Sequence, residues 1–376
     1  MPNTRAAPDV AVVFPEAHQR GGVERIAWDL MHHLLRTGRR VAFVGRAVEP
    51  GADPALEQVL VVGRGNYGFR RAAAQSLRDL KPRDTISLGA NCPPGDLCMV
   101  QSVHRAWLRS ARTVPVAGRQ MPAAFRYALP RHQSLLALEA LYFRSRRPRE
   151  FLCCSAREAS DLGALYGVAA DRLAVVPNGF DPAVFQPQPA EVRQRVRAAA
   201  GLPEQARVLL LMANELHRKG FAQLLAAAAA LDDPSVHVAV VGRADLSPYA
   251  GEIARLGLEQ RVRWHGSTGE AAAWYAAADL LVLPTQYEPF GLVIVEALAC
   301  GLPVLTTRLA GASVAIKPGF NGLLQDDAYS VPELTALLRK ALAPGTLAGW
   351  AAASPTSVED FRADRVFAQV ERRLRG

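Results

Sequence analysis

Only five cysteines occur in the 376 residues: Cys92, Cys98, Cys153, Cys154 and Cys300. Their spacing matches no metal-ligand pattern, and an odd number with two adjacent does not make a disulfide framework. No metal site is therefore expected. Long apolar runs are also missing. The longest, residues 221–231, is interrupted by Gln223 and is too short to cross a bilayer. No charged start leads into an apolar core, so no secretory signal is expected and the cytoplasm is the expected compartment. The glycine pattern G-x-G-x-x-G is absent after the first apolar segment, which argues against a dinucleotide-binding dehydrogenase. Lysine is scarce, with four residues among 44 basic ones.

The chain is half hydrophobic and one-fifth charged, long enough for two or three domains with cores of their own. Its formal charge is +9, and the distribution is uneven. Residues 1–185 hold 25 basic and 16 acidic residues, a balance of +9; the remainder holds 19 of each. The excess concentrates between Arg105 and Arg149, a segment with ten arginines and one acid, Glu139. Arginines there alternate with Trp107, Phe125, Tyr127, Tyr142 and Phe143, a composition that suits a surface lying on anionic lipid. A soluble anionic acceptor, or simple solvation, would account for the same charge.

Hydrophobic patterning gives the architecture. Val10–Phe14 reads as a short buried strand, followed by Gly21-Gly22 and then by Val23, Ile26, Ala27, Leu30, Met31 and Leu34 at helical spacing. Gly38 stands where a helix ends, and another strand begins at Val41. The pattern restarts after the proline-rich stretch 182–189, with strands at 208–213, 236–241, 279–283 and 304–307 and helices at 221–231 and 290–300. Repeated β-loop-α units build parallel sheets covered by helices, with ligands beyond the carboxyl ends of the strands.

Three groups of residues carry chemistry. Gly21-Gly22 at a helix start lets backbone N–H groups approach a phosphate. Arg218-Lys219-Gly220 follows a strand, where a guanidinium fork and an ammonium point charge together suit a diphosphate. Glu288 and Glu296 lie eight apart around a loop-to-helix junction. Glu288 falls near the helix N-terminus, where negative charge is favoured. Glu296 falls in a helix that is apolar almost all round, so its carboxylate needs partners, and sugar hydroxyls would serve.

These groups, with residues 176–181 (VPNGFD), occur in the order that resembles family 4 glycosyltransferases over nearly the whole chain, most strongly over residues 211–307. The bacterial lipopolysaccharide core glucosyltransferases are the branch it looks most like. The resemblance implies a GT-B fold: two doubly wound Rossmann-like domains facing across a cleft. Residues 1–182 would bind the acceptor, 190–350 would bind the nucleotide-sugar, and a helix in 355–376 would pack back on the first domain. It implies a retaining, metal-independent transfer of a hexose, glucose from a UDP donor by preference, to a glycan, glycolipid or other hydroxyl acceptor. The nucleotide-sugar is a substrate, and no cofactor is implied.

The family's roles carry over position by position. Glu296 would bind the ribose hydroxyls, and Glu288 the transferred sugar together with N–H groups near Phe290 and Gly291. Arg218 and Lys219 would bind the diphosphate, and Gly21 and Gly22 would approach it from the first domain. His104 resembles the first domain's active-site histidine, and Trp264, with His265 and Gly266, the strand end near the nucleobase. Two other classes remain open at this point. A GT-B nucleotide-sugar epimerase or hydrolase would share fold and donor. A nucleic-acid-binding protein would use the positive charge, although no helix-turn-helix, zinc-finger or RNP-like signature accompanies it, so no nucleic-acid partner is expected. The expected location is the cytoplasm, with peripheral attachment to the inner face of the cell membrane.

Overall fold

The structure is a computed structural model. It describes residues 7–19, 21–110, 127 and 129–375 in full, and the backbone alone of residues 113–116 and 119–122. The chain divides into two compact units, one of Met1–Arg112, Met121–Gly179 and Ala363–Gly376, the other of Thr113–Gln120 and Phe180–Arg362.

The first unit is built on a seven-stranded sheet whose neighbouring strands all run parallel. Across the sheet the order is Leu173–Val175, Glu150–Cys153, Leu97–Val100, Asp84–Leu88, Val10–Val13, Val41–Gly45, Glu57–Leu60. Val10–Val13 and Val41–Gly45 are buried along their whole length, which is why they read as continuous apolar runs and not as alternating ones. The chain reverses its direction of travel between Val10–Val13 and Asp84–Leu88, so the switch point lies beyond Val13.

The second unit repeats the plan with six parallel strands: Val262–Trp264, Val236–Val241, Arg207–Met212, Leu280–Leu283, Val304–Thr307, Gly322–Gln325. Its switch point lies between Arg207–Met212 and Leu280–Leu283. Two doubly wound sheets are what the patterning called for. Boundaries differ in detail: the helix expected from Phe290 begins at Leu292, because Gly291, at φ +94°, forms its N-cap.

The last helix, Ala363–Glu371, belongs to the first unit, where it packs on the helix Val23–Arg36. Val366, Phe367, Val370 and Leu374 are all buried there, and Phe367 lies against the His33 ring at 5.7 Å. Burial pushes the His33 imidazole below its ordinary value, and the Glu371 carboxylate opposes that shift. Phe367 is 2% exposed. Phe367→Ala should destabilise the first unit by about 3–5 kcal/mol, the usual cost of emptying a buried aromatic site. Denaturant unfolding measures this, and a change near zero would show that the helix contributes nothing to that core.

Candidate functional site

The second unit's switch point holds most of the residues singled out by sequence. The loop after Met212 carries Arg218 and Lys219, and the loop after Leu283 carries Glu288. The two loops are closed on each other by backbone contacts. The N–H of Gln286 and the hydroxyl of Thr285 both donate to the Arg218 carbonyl, at 2.9 and 3.1 Å. Gly220 has φ +76°, and a Cβ there would lie 2.1 Å from the Pro284 carbonyl oxygen. Glycine is therefore required on two counts, its conformation and its close approach.

Across this junction one carboxylate serves two cations. Glu288 Oε2 accepts from the Lys219 ammonium and, at 3.3 Å, from Arg218 Nη1. Arg218 also donates to the Tyr287 carbonyl at 2.8 Å and to Glu215 at 2.8 Å. Lys219 is buried; desolvation first, and then the Arg218 charge, pushes its ammonium well below its ordinary value. The Glu215 charge opposes that push, and the Glu288 carboxylate pairs with the ammonium directly, as a buried ammonium requires.

Glu288 is anchored beyond its side chain. Its N–H donates to the Leu309 carbonyl at 3.2 Å, and its carbonyl accepts from Gly311 at 3.0 Å. A Cβ on Gly291 would sit 3.0 Å from Glu288 Cγ. The Phe290 side chain is core, so only its peptide group is available to a ligand. With Gly291, it precedes the helix Leu292–Ala299, at the end where N–H groups lack helical partners. Glu296 sits inside that helix and is buried; its Oε2 accepts from the Tyr275 hydroxyl at 2.9 Å. It does not join the Glu288 cluster by direct contact. Sequence reading missed Tyr275, which stands four residues before Asp279 in an alanine-rich helix.

Trp264 ends its strand with its side chain 52% exposed and its indole N–H on the Gly242 carbonyl at 3.2 Å. The Gly266 carbonyl accepts from the Gly242 N–H at 2.7 Å. A Cβ on Gly242 would lie 2.0 Å from the Ala213 carbonyl oxygen, so this corner abuts the loop that bears Arg218 and Lys219. Burial pushes the His265 imidazole down, and its ring lies 4.5 Å from that of Trp274.

In the first unit, Gly21 has φ +101° and Gly22 caps the helix Val23–Arg36 without a side-chain bond. Glu24 lies in the first turn, 3.0 Å from where a Gly21 Cβ would stand, so an acid already occupies part of that positive helix end. His104 begins a seven-residue helix, and its Nε2 lies 3.0 Å from His132 Nδ1. Glu139 accepts from the backbone N–H groups of His104 and Arg105 and from the Tyr166 hydroxyl, and burial raises its pKa. The single acid of the basic segment thus points inward and fixes the His104 backbone. Among the described residues no cluster of three or more His, Cys, Asp or Glu suits a metal ion.

Two family models divide the chain: Glycosyltransferase Family 4 matches residues 20–184, and Glycosyl transferases group 1 matches residues 192–348. The chain is 26% identical to lipopolysaccharide glucosyltransferase WaaG of Escherichia coli over 344 residues, 87% of each chain. It is 38% identical to D-inositol 3-phosphate glycosyltransferase 1 of Catenulispora acidiphila over 184 residues, 45% of this chain and 43% of that one. The chain therefore spans less than half the length of that relative. Among solved structures, WaaG superposes with a TM-score of 0.82 at 21% identity, covering 98% of this chain and 100% of WaaG. Anabaena HepE in complex with UDP and glucose superposes with a TM-score of 0.74 at 18% identity, covering 97% and 98%.

The clamp between the loops has a direct test. Gly220→Ala should destabilise the second unit by about 1–3 kcal/mol, as overpacking against a fixed neighbour does. Thermal unfolding would read it, and an unchanged midpoint would show that the loops separate freely.

Proposed function

The chain belongs to the glycosyltransferases of GT-B fold, and on that premise we propose that it transfers a hexose, with retention, from a nucleoside diphosphate donor to a hydroxyl acceptor. The observation that carries this reading is the Arg218–Lys219–Glu288 cluster at the switch point of the second sheet. UDP and glucose are bound by the similarly folded HepE, which favours a UDP-hexose donor here. The likeness to WaaG favours glucose and a lipopolysaccharide-type glycan or glycolipid acceptor.

The chemistry follows from the leaving group. As the bond between the anomeric carbon and the donor phosphate breaks, charge grows on the diphosphate. Arg218 and Lys219 are already held in place to meet it, which lowers the barrier more than mobile cations would. A diphosphate carries more charge than one carboxylate and competes for both cations. Glu288 is then free to accept from hydroxyls of the transferred sugar. The departing phosphate oxygen takes the acceptor hydroxyl's proton on the same face while the new glycosidic bond forms. Glu296 accepts from the ribose, Trp264 and Gly266 flank the base, and Phe290 and Gly291 offer peptide N–H groups to the sugar. His104 and the Gly21-Gly22 loop keep the active-site and diphosphate roles that the resemblance implies. No metal enters this scheme.

Glu296→Gln should weaken donor binding by roughly 1–3 kcal/mol, the range for a hydrogen bond to a charged group. Lys219→Ala should lower turnover more than affinity, because the charge it meets grows in the transition state. Steady-state kinetics with UDP-glucose checks both, and unchanged constants in both variants would overturn the site.

We also propose that the first unit rests on an anionic membrane at the inner face of the cell. Arg109 and Arg131 are exposed, and Glu139, the one acid of the segment, is buried. Arg112 and Arg126 lie outside the described residues, as does the Arg119 side chain; so does Phe125. The structure corrects part of the sequence argument. Tyr142 and Phe143 are core residues, packed against Phe151, and do not contribute an aromatic surface. No helix among the described residues is long and apolar enough to cross a membrane. Each arginine near an anionic surface contributes about 1 kcal/mol. Co-sedimentation with anionic vesicles should fall with salt and disappear when Arg109, Arg112, Arg119, Arg126 and Arg131 are all changed to Gln. Binding that survives both treatments would remove the membrane proposal and leave the transferase reading intact.

A further inference from the structure

The second unit holds a cleft of about 380 Å³ at the end of its sheet opposite the Arg218–Lys219–Glu288 cluster. Asp279 stands just before the strand Leu280–Leu283, and Leu302 and Pro303 just before Val304–Thr307. The cleft therefore lies at strand starts, whereas the cluster lies in loops that follow strand ends. Its walls are mostly apolar, with Pro187, Pro189, Leu302, Pro303 and Leu347 among them. Two charged side chains join these, Arg193 and Asp279. Cys300 lines the cleft as well, but burial first, and then the Glu296 charge, push its thiol up to about 12, so it is neutral at physiological pH.

How the two charges are spent decides what the cleft can hold. Arg193, on the helix Ala190–Ala199, reaches the end of the helix Ala271–Ala277, whose terminal carbonyls lack helical partners. Its Nη1 donates to the carbonyls of Ala276, Ala277 and Ala278 at 3.1, 3.2 and 2.8 Å, and its Nη2 to Asp279 Oδ1 at 2.6 Å. Asp279 Oδ2 accepts from Arg197 Nη2 and from the Val208 N–H, both at 2.7 Å. Both oxygens of that carboxylate are thus engaged. The Arg197 side chain is only 5% exposed, and that of Arg193 is 35% exposed. A guanidinium carries five N–H donors and stays charged. In Arg193 the Nε–H and the second N–H of Nη2 have no partner among the described residues. Two guanidinium groups against one carboxylate leave a net positive charge at the cleft wall, with two donors unspent.

We propose that this cleft is a second ligand site, for a small organic carboxylate whose apolar body lies on the proline and leucine walls and whose carboxylate bonds to Arg193. Hydrogen bonds between two charged groups are the strong ones, and a guanidinium suits a carboxylate in particular. The volume falls within the range of small-molecule sites, about 300–1,000 Å³. A cation would find the Asp279 carboxylate already spent on two guanidinium groups. An inorganic anion would leave the apolar walls in water, so the walls select a ligand with a hydrocarbon part. The donor cluster lies at the other end of the strands, so this ligand is not a substrate of the transfer.

The test titrates the full chain with phenylbutyrate and with its neutral amide, phenylbutyramide, by isothermal calorimetry, with and without UDP. The acid should bind saturably, equally well in the presence of UDP, and about tenfold more tightly than the amide, the equivalent of one hydrogen bond to a charged group. Arg193→Gln should remove that tenfold preference and leave the amide within about twofold of its wild-type affinity, which a loss of packing alone would not do. Ala348→Phe, at an exposed position that lines the cleft, should block both ligands. Absence of saturable binding, displacement of the acid by UDP, equal affinity for acid and amide, or binding untouched by Ala348→Phe overturns the proposal. Because Ala348 is at the surface, its variant decides the matter even if Arg193→Gln does not fold.

Discussion

One carboxylate shared between two cations organises the candidate site. Glu288 accepts from both Arg218 and Lys219, and the loops that bring the three together are locked by the Gly220 backbone against the Pro284 carbonyl. Burying an ammonium unpaired would be expensive, and removing one member of such a pair typically costs about 3–5 kcal/mol. The cluster therefore stores positive charge, in a fixed place, that a ligand with greater negative charge can claim. Because the cations are positioned before any ligand arrives, little rearrangement is needed as charge develops.

The fold explains why the cluster forms where it does. A parallel sheet places all its strand-to-helix loops at one end, and at the switch point two of those loops diverge and leave a crevice. Arg207–Met212 and Leu280–Leu283 are the two strands concerned, and the three residues stand in the loops that follow them. Behind that crevice, Asp279 with Arg193 and Arg197 fastens a flanking helix to the strand starts. Two neighbouring elements, the helices Ala271–Ala277 and Leu292–Ala299, then present Tyr275 and Glu296 to each other.

Features with local causes were legible in the sequence. Fully buried parallel strands read as short apolar runs, and both sheets follow from them. The Glu288–Glu296 spacing and the Arg218-Lys219-Gly220 turn could be placed at strand ends by counting. Features with distant causes were not legible. Tyr275 looks like any core aromatic until Glu296, 21 residues on, is seen beside it. Glu139 counted only as the one acid of the basic segment, yet it is buried and accepts from the backbone N–H of His104, 35 residues away. Tyr142 and Phe143 looked like part of an amphipathic surface because arginines surround them in sequence. In the fold their side chains turn toward Ser87 and Phe151, and the arginines do not follow. Gly220 gave no sign that the obstacle to a side chain is a carbonyl 64 residues away.

The central claim is that Arg218 and Lys219 form a diphosphate site held in readiness by Glu288. A crystal structure with a nucleoside diphosphate bound tests it most directly. The account predicts diphosphate oxygens on Arg218 and Lys219, with the Glu288 carboxylate withdrawn from the lysine. A diphosphate bound elsewhere, or one bound while Glu288 keeps both cations, would contradict it.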